Sequence, residues 1–193
     1  MFPVQPCAVP GCDRPAVFRL PTCLPHAGEP AAYRQELQEY LRSAERISGL
    51  NLDRVELAGL DLAGKRIRCC TLSRARLERL RFDGCHIRLL YLDFASLTEC
   101  SFADCQINCL VLGGAEITGC SFRAATMPRC NFAGARCRDL VFDGSDLYAG
   151  SFTSAALDNC SFRDCNLKQV HFEHCTLTGV DFRASNTEEA YFT

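Results

Sequence analysis

From Leu52 onward, every fifth residue is apolar. Positions 52, 57, 62 and so on to 182 carry Leu, Ile, Phe, Met or Cys, 27 in succession with no insertion. The run includes Leu52, Leu77, Phe102, Met127, Phe152 and Phe182; it lapses at Thr187 and returns at Phe192. A second, smaller set sits two residues before each of these. Cys70, Ala75, Cys85, Ala95, Cys100 and Cys105 are typical, Leu60, Leu80 and Val170 fill other places, and Lys65 is the lone charged exception. The other three positions of each unit are mostly Asp, Asn, Ser, Thr, Arg or Gly. A period of five is neither the 3.6 of an amphipathic helix nor the 2 of a flat strand. A chain that points two of every five side chains inward, and turns between units, winds around an axis.

The size of the winding is readable as well. At a lag of twenty residues, Leu62 is followed by Phe82, Phe102, Phe122, Phe142, Phe162 and Phe182, whereas the column through Leu77, Leu97, Ile117, Cys137, Leu157 and Leu177 contains no Phe. Four units per coil place like above like, with parallel-sheet hydrogen bonds between coils. At ~4.8 Å per strand, about seven coils make a rod roughly 34 Å long. The units Cys100-Ser-Phe-Ala-Asp, Cys130-Asn-Phe-Ala-Gly and Cys160-Ser-Phe-Arg-Asp resemble the A(D/N)LXX pattern of the pentapeptide-repeat family. That resemblance covers roughly residues 50–192. It implies a right-handed quadrilateral parallel β-helix, an all-β solenoid, and it implies a binding protein, since members are mostly non-catalytic and several bind type II topoisomerases by imitating DNA.

Two further segments precede the repeat, giving three regions: a zinc-knuckle-like segment at 1–28, a capping helix and linker at 29–49, and the β-helix at 50–193. An open solenoid end exposes unpaired backbone and apolar surface, so it needs a cap. Tyr33, Leu37, Tyr40, Leu41, Ala44 and Ile47 lie at helical spacing, with Glu29-Pro30 suited to the start and Ser48-Gly49 to the exit. The spacing predicts a helix of about 17 residues over the first coil. After Thr187 no such cap follows, and Tyr191 and Phe192 either fold over that end or leave it to pair with a second copy as a homodimer.

Residues 7–26 read CAVPGCDRPAVFRLPTCLPH. Cys7, Cys12, Cys23 and His26 supply three thiolates and an imidazole, the four ligands that close a tetrahedral structural zinc site. The segment is too short for its own core, so metal supplies its folding energy. It is similar to the treble-clef knuckle C-x4-GC-x-RPA…C-x2-H, which Gly11, Cys12, Arg14, Pro15, Ala16, Cys23 and His26 match. The aromatic and basic residues usual after the His are replaced by Ala27-Gly28-Glu29, which disfavours direct contact with nucleic acid.

The fifteen cysteines fit reduced thiols in a cytoplasmic protein, because MFPVQPCAVPGC does not read as a signal peptide and no apolar run is long enough for a membrane span. Nine of the twelve cysteines in the repeat occupy the small inward position, where Cys acts as a slightly larger Ala. Catalytic motifs fall away on inspection. Gly59-Leu-Asp-Leu-Ala-Gly64-Lys65 spells a P-loop, but Arg66 follows where Ser or Thr is needed, and Leu60 and Leu62 belong to the core pattern. His171 and His174 have no recognisable nucleophile and orienting acid beside them.

Net charge is −2, yet it is unevenly spread. Residues 50–89 hold nine Lys/Arg and five Asp/Glu (+4), and residues 90–193 hold seven and thirteen (−6). Arg66, Arg68, His86 and Arg88 should stack on one face, with Tyr91 and Phe94 close by, as a binding patch for a protein whose identity the sequence does not reveal. The reading is a non-catalytic protein-interaction scaffold. The alternative is a DNA mimic that binds DNA gyrase or another topoisomerase through the acidic half.

Overall fold

The computed structural model describes residues 5–27 and 30–193. The expected knuckle–helix boundary at 28/29 lies outside the described residues. A short 3-10 turn, Leu24–His26, precedes a helix α1 at Pro30–Ser43. Then come strands β1 (Arg46–Ser48), β2 (Glu56–Ala58), β3 (Arg66–Thr71), β4 (Arg76–Glu78), β5 (His86–Tyr91) and β6 (Ser96–Thr98). β7 (Gln106–Val111), β8 (Glu116–Thr118), β9 (Arg136–Arg138), β10 (Ala156–Asp158) and β11 (Thr176–Thr178) complete the rod. All strand pairing is parallel and joins residues twenty apart, as in Ile67↔Ile87 and Leu97↔Ile117. One sheet runs β1-β3-β5-β7, and a second runs from β2 through β4, β6, β8, β9 and β10 to β11. Single bridges such as Asp61↔Arg81↔Ser101 and Asn131↔Ser151↔His171 mark the other two faces. The fold is a parallel β-solenoid of about seven coils with one helix near its N-terminus.

Each turn between faces has the same backbone solution. Every fifth residue from Gly49 to Glu189 has φ between +52° and +74°. Glycine takes that left-handed conformation without strain, and other residues pay roughly 1–2 kcal/mol for it. Most corners here are not glycine, so the penalty is met by the burial that each turn permits. Thr187 does not interrupt the winding: Ala184 and Glu189 keep the corner conformation, and Tyr191 still bridges His171. The lapse in sequence pattern changes a side chain and leaves the backbone path intact.

The core is a pair of aromatic stacks. Phe82, Phe102, Phe122, Phe142, Phe162 and Phe182 lie face to face at 4.5–5.4 Å. Phe132, Phe152, Phe172 and Phe192 form the second stack at 4.7–5.2 Å and meet the first edge-on. Offset stacking and edge-to-face contact are the favoured ring geometries, so one period sets both burial and ring orientation. Tyr191 stacks on His171 and Phe192 on Phe172. Both extend the rod in register and neither folds over its end. Leu177, Tyr191 and Phe192 remain 40–47% exposed there.

The helix does close the N-terminal end, but it is shorter than its apolar spacing suggests. Tyr33, Leu37 and Leu41 are buried in the same cluster as Ile47, Leu52 and Leu57. The expected exit at Ser48-Gly49 moves back to Ser43, because Arg46–Ser48 is the first rung of the sheet and pairs with β3. Ile47 and Leu50 already obey the five-residue register and are 3% exposed. Continuing the helix would forfeit that rung. Lys65, the charged exception, has a task at this junction: its Nζ donates to the carbonyls of Arg42 (3.0 Å) and Ala44 (2.7 Å). A cation there satisfies carbonyls that the helix end leaves unpaired.

Candidate functional site

The N-terminal segment is an ordered knuckle. Pro6 and Pro15 pair in an antiparallel bridge, and Cys7 N–H donates to the Arg14 carbonyl at 3.0 Å. Cys12 N–H donates to Val9 O across a turn in which Gly11 has φ +77°. Cys23 N–H points at Cys7 Sγ, 3.3 Å away. These bonds converge the four side chains, whose donor atoms all lie within 4.8 Å of one another. Cys12 Sγ is 3.8 Å from Cys23 Sγ, and His26 Nδ1 is 3.4 Å from Cys7 Sγ and 3.5 Å from Cys23 Sγ. A tetrahedral centre with metal–sulfur bonds of ~2.3 Å and a metal–nitrogen bond of ~2.0–2.1 Å has S···S edges of about 3.8 Å and S···N edges of about 3.5 Å. Three edges of the cluster have those lengths, and the group could hold a metal ion. Burial works against the Cys7 thiolate, but the Cys23 N–H and the His26 ring outweigh it and bring the Cys7 thiol down to about 6.

The knuckle is anchored to the rod. Phe18 N–H donates to Asn51 O at 2.9 Å, and Asn51 Nδ2 donates to Ala16 O at 2.6 Å. Val17 is buried in the common core, and Phe18 packs on Tyr40 of α1 at 4.9 Å. Arg19 lies over both rings and pairs with Glu36 at 2.8 Å.

Buried cysteines at the small inward position of the rod, such as Cys70, Cys85, Cys105 and Cys130, have opposite chemistry. Burial pushes the thiols of Cys70 and Cys85 up to about 11, and those of Cys105 and Cys130 up to about 12. A thiol held neutral among apolar neighbours is a poor nucleophile and a poor ligand. Cys85, Cys105 and Cys165 donate to the carbonyls of Leu62, Phe82 and Phe142 at 3.0 Å, filling the small inward position.

The outward faces differ in charge. On the sheet β1-β3-β5-β7, Arg46 stands beside Arg66 and then His86, and Ser48 beside Arg68 and then Arg88. All are exposed. Among the described residues, Arg46, Arg66, Arg68 and Arg88 pair with no carboxylate, and no acidic side chain points outward from these strands. The other faces are stitched by pairs between successive coils: Arg81 with Asp61, Glu116 with Arg136 (3.5 Å), Arg123 with Asp143 (3.5 Å), Arg138 with Asp158 (3.3 Å) and Arg163 with Asp181 (2.5 Å). Arg163 and Arg183 hold Asp181 well below the usual carboxylate range.

The predicted patch is thus brought together in part. Arg66, Arg68, His86 and Arg88 share one face. Tyr91 lies on the next face, half-buried, and Phe94 stands at the corner beyond it, 62% exposed. Arg74 lies over the Phe94 ring at 5.7 Å, and a side chain on Gly114 would collide with that ring. Phe94 is a separate feature on another edge. Arg46 was missed because the helical spacing of 33–47 absorbed it; the register of Ile47 and Leu50 was the signal available.

Residues 115–192 match the family model described as a pentapeptide repeat region. Comparison with curated proteins gives no match. Among solved structures, the chain is similar to HetL, a pentapeptide repeat protein involved in heterocyst differentiation regulation in the cyanobacterium Nostoc, at 16% identity over 81% of this chain and 92% of that one, with a TM-score of 0.41. It is similar to QnrB1, a plasmid-mediated fluoroquinolone resistance protein, at 12% identity over 71% and 89% of the two chains (TM-score 0.30). It is also similar to the pentapeptide repeat protein Rfr23 of the cyanobacterium Cyanothece, at 16% identity over 86% and 100% (TM-score 0.22). The matched region shares one unbroken register with everything back to Ile47, so the residues that match the family model and those before them form one solenoid.

Proposed function

We propose that this protein is a non-catalytic protein-interaction scaffold. The solenoid is the rigid body, α1 closes its N-terminal end, and a structural zinc ion organises the knuckle. The observation that carries the reading is the contrast between faces: ion pairs tie most arginines elsewhere on the rod to carboxylates, Arg76 and Arg129 excepted, while Arg46, Arg66, Arg68 and Arg88 share one face with no carboxylate partner among the described residues. Exposed like charges repel one another at ~5–7 Å spacing, a cost that solubility alone does not require and that a partner offsets. Zinc suits the knuckle because three thiolates and one imidazole fill a tetrahedral shell and leave no open position for catalysis. A reducing, cytoplasmic setting suits thiolate ligands.

The test is capture from host lysate by tagged full-length protein, beside an Arg66→Glu/Arg68→Glu/Arg88→Glu variant. A defined protein held by the first and lost by the second supports the scaffold; equal capture by both overturns the assignment of this face. The DNA-mimic alternative needs a long free acidic surface, and Glu116, Asp143, Asp158 and Asp181 are instead tied to arginines. Capture of a topoisomerase by both proteins would favour it. A homodimer through the exposed Leu177, Tyr191 and Phe192 is a separate contact, and a monomeric mass in solution removes it.

A further inference from the structure

Building on the scaffold reading, we infer that the face carrying Arg46, Arg66, Arg68 and Arg88 docks a short acidic segment of a partner protein. Four guanidinium groups lie in two columns two residues apart along the strands, with rungs ~4.8 Å apart and residues i and i+2 about 6.7 Å apart. Alternate side chains of an extended segment recur at that longer spacing, and i, i+4 side chains of a helix at about 5–6 Å. Either presents carboxylates in step with the ladder. Guanidinium groups bind carboxylates through two parallel N–H···O bonds, which an array of lysines would not reproduce.

The extent of the patch selects the partner class. Arginine and histidine occupy three successive rungs, 46, 66/68 and 86/88, and Gln106 and Asn108 are next. Further along the same face come Asp146 and then Lys168, which pairs with Glu188 at 3.6 Å, with Asp104 at the corner beside Gln106. A nucleic-acid strand running along the rod would meet those carboxylates within a few rungs. A short acidic segment ends before it reaches them. The corner that borders Arg68 and Arg88 carries Cys69, Leu89 and Cys109, all half-buried, a small apolar edge that suits a side chain flanking the carboxylates. Phe94, the largely exposed aromatic nearby, is one face away and already has Arg74 over its ring, so among the described residues no exposed aromatic ring stands on the arginine face itself.

Fluorescence anisotropy with full-length protein and fluorescein-labelled hexaglutamate tests this, with labelled hexathymidylate beside it. The expected result is salt-sensitive binding of hexaglutamate that Arg66→Glu/Arg88→Glu weakens at least ~10-fold, the size expected when charge-assisted bonds are lost. Arg136→Glu/Arg138→Glu, on a compensated face, should leave it unchanged, and Arg66→Lys/Arg88→Lys should fall between. Thermal melting verifies that each variant is folded. Tighter binding of hexathymidylate, equal loss in both reversed variants, or no binding of hexaglutamate overturns the inference. If hexaglutamate fails but lysate capture still depends on these arginines, the scaffold stands and only the acidic-segment partner falls.

Discussion

The knuckle and the rod solve the same problem, a chain that must be fixed in place, by opposite means. In the knuckle, three thiols and one imidazole converge to within 4.8 Å, and little else in residues 5–27 is buried apart from Ala16 and Val17. In the rod, the same residue type is dispersed among Phe, Leu and Ala, and burial raises thiols such as those of Cys105 and Cys130. Cysteine is a candidate metal ligand in one region and an oversized alanine in the other. The difference is environmental: backbone N–H groups and a ring nitrogen favour the thiolate at Cys7, while apolar burial disfavours it at Cys105. With zinc bound as proposed, stability is concentrated in four ligand atoms in the first case; in the second it is spread over many coils.

The largest effect should come from breaking the concentrated site. Structural zinc in small domains contributes on the order of 10 kcal/mol to their folding. Protein purified without added metal should carry one zinc per chain by elemental analysis, and Cys23→Ser should reduce this to near none, while Cys105→Ser leaves it intact. Full stoichiometry in Cys23→Ser would remove the metal assignment. Chelation should likewise expose the knuckle thiols to a thiol reagent, with the buried rod thiols reacting only on unfolding.

Next in size is a cavity in the rod. Phe122 is fully buried, stacked 5.0 Å from both Phe102 and Phe142 and edge-on to Phe132 at 5.6 Å. Phe122→Ala should cost ~3–5 kcal/mol, read as a lower urea midpoint. Zinc content should not change. An unaltered midpoint would mean that the register through this residue is wrong.

The two regions should also fail at opposite ends of the pH scale. Rod thiols at about 11 to 12 lie above the ordinary value of 9.0, so the folded rod keeps protons that the unfolded chain releases. That contribution is complete below pH ~9 and is lost as pH rises through ~11–12. The thermal midpoint should therefore fall between about pH 8 and pH 11, less steeply in Cys105→Ala/Cys130→Ala. Acid should instead release the metal, because protons compete for its thiolates. Smallest is a corner: Ala149 has φ +53°, and Ala149→Gly should raise rod stability by up to ~1 kcal/mol while leaving the knuckle untouched.

Much of this was legible in the chain. The five-residue register predicts every inward residue from Leu52 to Phe182, and the lag of twenty predicts the pairing of Ile67 with Ile87. The spacing of Cys7, Cys12, Cys23 and His26 predicts a cluster that the structure brings together. Errors gathered where two patterns compete. Residues 44–50 satisfy both a helix and the first pentapeptide unit, and pairing with β3 decided for the strand. Thr187 weakens the side-chain pattern, yet backbone pairing carries the coil past it. Charge tallied along the chain suggested a basic half and an acidic half. In the structure the charge is organised by face, because residues twenty apart become neighbours and neutralise one another on some faces only.

The sequence by itself therefore determined the winding, its coil size, the core residues and the Cys/His cluster of the knuckle, since each follows from a spacing that chain geometry converts directly into position. Only the tertiary structure decided where the helix stops, why Lys65 is charged, and which arginines remain unpaired. Those outcomes depend on which groups meet across coils, and a contact between groups remote in the chain is a property of the assembled solenoid.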